Sequence, residues 1–497
     1  MTTAFVLSGG GAKGAFQVGV LKYLYKEQGL RPDIICGTSV GALNAAKLAE
    51  GHQDSDQAFD ELEAIWRGIT SERDIFLPNP AIEAGLDAVR GAVEEELVEA
   101  ALAATGAAAA GGGVLGTVLS IFLGPLGAAL GGAVSSGAAF GAVVASFGDF
   151  EDEIKAAIKQ AFGGIDSLNV LTPLRQLVTQ RLDRSAVANS GIELRLSAVD
   201  LNSGGLFYVD QQGRSIPDSR NGPTLERLNT VKSRMLALDR SNGFVNELID
   251  RVLADALNPG DIGLVNGVVA SSAIPMIFDP VRSGARLLVD GGVREILPLH
   301  VAVELGATDI VAVQASSGRV GQGLPAEGLG ADFQIVAMIE RTFDIFANEV
   351  SRDDERVDVP GGVNVELIKP AIDIQDVLEF IPEIIALNIF VGFDTAKAHF
   401  EGTDPLPKEI LELLRRLALL KARLRRFLGI SLPGLNIFGY PAGSLVTSIP
   451  TLQIQVQQLT QQLTSAGAPP VPGLYTPANL TTIVPSKPRP TTTTVGN

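Results

Sequence analysis

MTTAFVLSGGGAKGAFQVGVLKYLYKEQG at residues 1–29 and DIICGTSVGALNAAKLAEG at 33–51 decide how this chain is built. Residues 3–7 form a short apolar run that stops at SGGG, the pattern of a buried strand. FQVGVLKYLYKEQ then has helical periodicity, with Gly29 where a helix closes. Residues 33–36 read as a second strand, GTSVG as a sharp turn, and ALNAAKLAEG as a helix ending at Gly51. Strand and helix alternating over such short links imply parallel strands joined by right-handed crossovers. Further strands are expected at 193–199, 206–209, 286–289, 309–314 and 363–368, and a helix over 264–273 that stops at Pro275. The expected fold is α/β: a doubly wound domain with a mainly parallel central sheet, interrupted by an inserted hydrophobic helical segment.

The chain has 497 residues, of which 46% are hydrophobic and only 5% aromatic, and its formal net charge is −17. So acidic a body excludes a general nucleic-acid footprint, because phosphate binding needs a basic face. It also disfavours broad adsorption to anionic membranes, so membrane contact needs a local patch. With Cys36 as the single cysteine, neither an intramolecular disulfide nor a cysteine metal cluster can form. Three histidines, His52, His300 and His399, leave little room for a histidine metal site. No metal and no cofactor are expected. The N-terminus lacks the basic start and sustained apolar run of a signal peptide, so a cytoplasmic protein with peripheral or inducible membrane association is expected. Export without a cleavable signal stays open.

An insertion covers about 80–165, and within it residues 100–148 carry no charged side chain. Small residues recur at four-residue spacing on both sides of Pro125, as at Gly112/Gly116 and Gly137/Gly141. Each half is long enough to cross a bilayer core, and the small residues let two helices approach closely. A membrane-active helical hairpin is the sharper reading; a Gly/Ala-rich lid and a low-complexity linker are the alternatives. Residues 408–428 are locally basic, with a stripe of Leu413, Leu417, Leu420, Leu424 and Phe427, which suits a packing helix or one lying on an anionic membrane. The Pro/Thr-rich segment 465–497 is expected to lack fixed structure.

Chemistry concentrates at three places. Gly37-Thr38-Ser39-Val40-Gly41 stands between a strand and an Ala-rich helix, the setting of a G-x-S-x-G nucleophile elbow. Gly9, Gly11 and Gly14 match G-x-G-x-x-G, which could cradle a dinucleotide. That reading needs an acidic residue at the end of the second strand, where the serine elbow stands instead. The other reading is an oxyanion hole in which Gly9, Gly10 and Gly11 offer backbone N–H groups. A serine also needs a base. His52 lies at the far end of the elbow helix, His399 beyond the sheet, and His300 on a helix leading away. Asp290, at a strand end before Gly291 and Gly292, is the better placed group.

Taken together, GGGAKG at 9–14, GTSVGALNA at 37–45, SAVDLNSGG at 197–205, ASSAIPMIFDPV at 270–281 and DGGVREILPLHVAVELGA at 290–307 resemble the patatin-like phospholipases. The resemblance covers most of residues 1–400 apart from the insertion, and supplies neither the insertion nor the helical extension at 401–464. It implies a three-layer α/β/α sandwich and a Ser–Asp dyad with no catalytic histidine: Ser39 as nucleophile, Asp290 as general base, and Gly9-Gly10-Gly11 as oxyanion donors. Lys13 matches the family's basic position, to hold the loop or a lipid phosphate. Gly14, Gly37, Gly41, Gly291 and Gly292 support the motifs. The implied substrate is a phospholipid or other lipid ester, cleaved without a metal; the uncharged insertion adds the expectation of a membrane surface. Two other readings stay open: a membrane-inserting or membrane-disrupting protein acting through 100–148, with the α/β domain as carrier, and an acyltransferase.

Overall fold

The glycine-punctuated N-terminus folds into β1 (Thr3–Leu7), α1 (Gly14–Lys26), β2 (Ile34–Thr38) and α2 (Val40–Leu48). Helix α1 ends at Lys26, and Gly29 follows at φ +63°, the left-handed turn that a glycine adopts without strain. The computed structural model describes residues 1–51, 55–82, 84, 167–221, 260–318, 335–356, 359–427 and 449–475. The elements that follow are α3 (Ser55–Gly68), β3 (Leu77–Pro78), β4 (Ser167–Val170), α4 (Thr172–Arg181), α5 (Arg184–Asn189), β5 (Glu193–Asp200), β6 (Gly205–Val209) and β7 (Ser215–Pro217). Then come α6 (Leu264–Ser271), β8 (Met276–Phe278), β9 (Val281–Ser283), β10 (Arg286–Asp290), α7 (Leu299–Glu304) and β11 (Asp309–Val313). The last are α8 (Ile335–Asp354), β12 (Asn364–Ile368), α9 (Pro382–Glu401), α10 (Lys408–Phe427) and α11 (Ile449–Ser465).

The chain divides into two units. In the smaller, residues 77–170 and 276–279, β3 runs antiparallel to β4 and β4 parallel to β8. The larger holds a sheet of order β12-β11-β1-β2-β5-β10-β9, with β6 on β5 and β7 on β6. From β12 to β5 every pairing is parallel, as the crossover pattern predicts. Antiparallel strands β10, β9, β6 and β7 form the margin.

Strand β5 is where the register matters. Ser197 pairs with Thr38 of β2 and with Tyr208 of β6, so those two strands occupy its opposite edges. Ala198 pairs with Phe207 of β6 and with Asp290 of β10. Strand β10 therefore shares the edge used by β2, running the other way. The two strands meet end to end: β2 finishes opposite Ser197 and β10 finishes opposite Ala198.

Helices cover both faces. Ala4, Val6, Ile34 and Cys36 join Leu299, Val301 and Ala302 of α7 in one buried apolar cluster. Phe5 points the other way, edge-on to Tyr25 of α1 at 6.0 Å between ring centroids. Helix α9 crosses α1 at backbone contact: a Cβ on Gly19 would fall 2.0 Å from the Ile389 carbonyl oxygen. Cys36 is a core thiol, and burial pushes its pKa far above the ordinary range.

Helix α10 is a packing helix. Leu411, Leu414, Leu417, Ala418, Ala422 and Leu424 are its buried side, a stripe rotated from the expected one because Leu413 and Leu420 are only half-buried. Two of its basic residues turn inward: Arg425 forks onto Glu383 at 2.8 and 3.1 Å, and Arg415 donates to the Ile374 carbonyl at 2.7 Å. The expected tail boundary at 465 also moves. Val471, Leu474 and Tyr475 are buried, and the Tyr475 hydroxyl lies 2.9 Å from Thr464 Oγ1. Leucine and tyrosine in VPGLY supply apolar area that a proline count overlooks. The uncharged stretch 100–148 and residues 476–497 lie outside the described residues. Among those described, no helix is long and apolar enough to cross a membrane.

Candidate active site

Ser39 caps the N-terminus of α2 at φ +55° and ψ −123°, a conformation that costs a non-glycine residue about 1–3 kcal/mol. The surrounding structure enforces it. A Cβ at Gly37 would lie 2.4 Å from the Gly41 carbonyl oxygen, and one at Gly41 would lie 2.2 Å from that of Leu7. The two elbow glycines thus let β1, β2 and α2 close around the turn. The Ser39 N–H donates to Ser271 Oγ at 2.9 Å, a partner at the end of α6 that lies in the ASSAIPMIFDPV stretch but has no role assigned to it from the sequence.

Because β2 and β10 meet end to end on β5, Asp290 arrives beside the elbow. Two glycines make room: a Cβ on Gly291 would sit 2.0 Å from Ser197 Oγ, and one on Gly292 would sit 3.0 Å from Asp290 Oδ1. Asp290 is buried, and its Oδ1 accepts the Gly292 N–H at 2.7 Å. Its Oδ2 forms no hydrogen bond of ordinary geometry. Burial pushes the carboxyl up to about 7, while the Ser39 hydroxyl and the Gly292 N–H pull the other way. The hydroxyl therefore stands near enough to act on the carboxyl, without a closed hydrogen bond between them.

The glycine loop corrects one expectation. Gly9 cannot be a free oxyanion donor, because its N–H is already given to the Ile296 carbonyl at 2.9 Å. Its role is proximity: a Cβ there would stand 3.3 Å from Ser39 Cβ. Gly10 and Gly11, at φ +155° and +55°, make no backbone N–H hydrogen bond among the described residues. The first-turn N–H groups of α2, at Val40 and Gly41, also lack intrahelical partners. Behind the loop lies a buried polar relay. Trp66 Nε1 donates to Asn44, Asn44 to Gln17, and Gln17 to the Ser8 carbonyl, at 2.8 to 2.9 Å. Gln17 and Asn44, polar residues inside apolar helices, were its sequence signal.

Lys13 is buried against Asp373 at 2.9 Å, so it holds the loop and does not face a phosphate. Gly14 gives the Val40 side chain its space, since a Cβ would come within 2.3 Å of Val40 Cγ2. His300 is not beside Ser39: its Nδ1 is 2.7 Å from Glu295 and its Nε2 3.1 Å from Asp218. Burial works against its charged form, yet these two acids prevail and carry its pKa up to about 9. His399 pairs with Glu366 at 2.8 Å, and His52 lies outside the described residues. Among the described residues, no group of three or more His, Cys, Asp or Glu side chains is placed to hold a metal ion.

The sequence model of the patatin-like phospholipases matches residues 5–303, more than half of the chain. The chain belongs to the patatin-like phospholipase family. Curated relatives match it over short stretches. A patatin-like phospholipase domain-containing protein of Caenorhabditis elegans is 34% identical over 103 residues, 19% of this chain and 7% of its own length. The triacylglycerol lipase ptl3 of Schizosaccharomyces pombe is 47% identical over 55 residues, 11% of each. The chain thus matches about a tenth or less of each relative. The solved structure of VipD from Legionella pneumophila aligns with 94% of this chain and 80% of its own, at 12% identity and a TM-score of 0.29. The family match contains the glycine loop, the elbow and Asp290, and leaves the helices after residue 303 unaccounted for.

Proposed function

We propose that this patatin-like protein is a lipid acyl hydrolase of the phospholipase A or lysophospholipase type, working through Ser39 and Asp290. The carrying observation is the open, buried Oδ2 of Asp290 beside a serine held at φ +55°. Asp290 takes the hydroxyl proton as Ser39 Oγ attacks the ester carbonyl. Negative charge on the carbonyl oxygen is met by the N–H groups of Gly10 and Gly11 and by the N-terminus of α2, donors worth about 3 kcal/mol each in such sites. Asp290 returns the proton to the departing alcohol, then deprotonates the water that releases the fatty acid. A carboxyl at about 7 suits this, being basic enough to accept a proton and about half ionised at neutral pH. The relatives' names, a phospholipase-domain protein and a triacylglycerol lipase, support a lipid ester as substrate. The uncharged stretch 100–148 supports work at a membrane surface, with peripheral or inducible attachment.

Purified full-length protein incubated with mixed phospholipid vesicles should release free fatty acid and lysolipid, read by mass spectrometry. Ser39→Ala should lower that release about a thousandfold or more without unfolding the protein. Unchanged lipids in leaking vesicles would overturn this reading and favour membrane disruption through 100–148. An acylated acceptor other than water would make the enzyme a transferase.

A further inference from the structure

Helix α8 buries three polar side chains at three-residue spacing, Asn348, Ser351 and Asp354, and so presents a polar ridge on one face. Each tooth reaches a segment next to the glycine loop. Ser316 Oγ donates to Asn348 Oδ1 at 3.4 Å, and Gln314 Nε2 donates to Ser351 Oγ at 2.6 Å. Between those two residues, the Ala315 N–H donates to Ser8 Oγ at 2.8 Å, at the start of the loop. Asp354 Oδ2 accepts two backbone N–H groups, from Ile296 at 2.7 Å and Leu297 at 2.9 Å.

Ile296 is the residue that touches both halves of the candidate site. Its carbonyl takes the Gly9 N–H at 2.9 Å. Its side chain lies between the two glycine turns: Cδ1 would be 3.6 Å from a Cβ on Gly9 and 2.8 Å from one on Gly292. One peptide thus contacts both the glycine loop and the turn that follows Asp290. A buried carboxylate is a costly way to fill space, and a single oxygen collecting two N–H groups is a strong way to fix a peptide.

We propose that Asp354 is a positioning residue for the Ser39–Asp290 site: by holding the Ile296–Leu297 peptide groups it sets the oxyanion loop against the nucleophile. The inference rests on the hydrolase reading above and adds to it a residue outside the family match, which ends at residue 303.

The test uses the full chain with a soluble short-chain ester, so that membrane binding does not enter the rates. Asp354→Ala removes both acceptors and should lower kcat about 10- to 100-fold with KM changed less than about threefold, the pattern of misplaced groups. Asp354→Asn keeps an oxygen that can accept both N–H groups and should retain kcat within about threefold. A purely structural role predicts instead that both variants lose rate in step with melting temperature and recover it on cooling; that result overturns the proposal, as does wild-type kcat in Asp354→Ala. Should Asp354→Ala fail to fold, Asp354→Glu displaces the oxygen by one methylene and should still lower kcat about fivefold or more at unchanged KM. Wild-type kcat in Asp354→Glu would then overturn it. Ser39→Ala separates the two levels. An active Ser39→Ala overturns the hydrolase reading and this inference with it. An inactive Ser39→Ala beside a fully active Asp354→Ala overturns the inference alone.

Discussion

Asp290 and Glu295 lie on the same short segment, are equally buried at 1% exposure, and are treated in opposite ways. Glu295 is saturated. Its Oε1 meets His300 Nδ1 at 2.7 Å and Arg220 at 2.9 Å, and its Oε2 meets the Tyr208 hydroxyl at 2.6 Å. Asp218 joins the same cluster, bound to Arg220 and His300, which hold its carboxyl well below the usual range against the desolvation of burial. Asp290 has one neutral N–H donor, a nearby serine hydroxyl and an open oxygen. Burial with full partnership fixes a proton in place; burial without it leaves a proton free to move. That difference, more than the identity of either residue, separates the proposed base from the scaffold acids.

The sharpest way to break the contrast is Asp290→Asn. It should lower kcat about a thousandfold, because the base is gone while the shape is kept. It should also stabilise the protein. The folded value of about 7 lies above the ordinary 3.8, so folding favours the protonated acid. The stability this confers is complete below pH 3.8 and lost as pH rises through 7. At pH 8 the variant should therefore exceed the wild type by about 4 kcal/mol in urea melts, with the gap closing toward pH 4. In the wild type, kcat/KM should climb as pH passes through about 7. A flat profile, or a destabilised Asp290→Asn at pH 8, would put Asp290 among the scaffold acids.

His300→Gln should do the reverse. It leaves Glu295 and Asp218 with one cation in place of two, and should cost about 2–3 kcal/mol of stability with kcat changed less than about threefold. The folded value of about 9 lies above the ordinary 6.5. The cation's contribution is therefore whole below pH 6.5 and lost through about 9, so the gap to wild type should be widest at pH 6 and narrow above 9. A large fall in kcat with no loss of stability would move His300 from the scaffold into the chemistry.

Much of this was legible in the chain, and the limits have physical causes. The elbow needs glycines at 37 and 41, and the loop needs them at 9, 10 and 11, so local sterics print those sites in the sequence. The parallel core is likewise written in short links between apolar runs. The end-to-end meeting of β2 and β10 was not legible, because it depends on β6 occupying the other edge of β5. The use of the Gly9 amide was hidden for a similar reason: its acceptor, Ile296, is set by a carboxylate at Asp354. Lys13 finds its partner Asp373 across 360 residues of chain, a distance over which no spacing rule operates. The inward turn of two α10 arginines was hidden too, because their partners, Glu383 and the Ile374 carbonyl, come from distant segments of the chain.

Ser271 tests the smallest part of the contrast. The Asp290 side of the segment is furnished with neutral groups: Ser271 accepts the Ser39 N–H, and Thr38 Oγ1 lies 2.7 Å from Ser197 Oγ at the strand junction. Neutral partners can hold the strained elbow without adding a cation that would drag the Asp290 carboxyl down. Ser271→Ala should then leave one buried N–H unpaired, costing about 1 kcal/mol of stability, and lower kcat about three- to tenfold as the elbow relaxes from φ +55°. The midpoint of the pH–rate profile should stay within about 0.3 unit of wild type, because no charge has been removed. A shift of a full unit would mean that Ser271 tunes the base itself, and the division between neutral framing and open carboxylate would have to be redrawn around three residues instead of two.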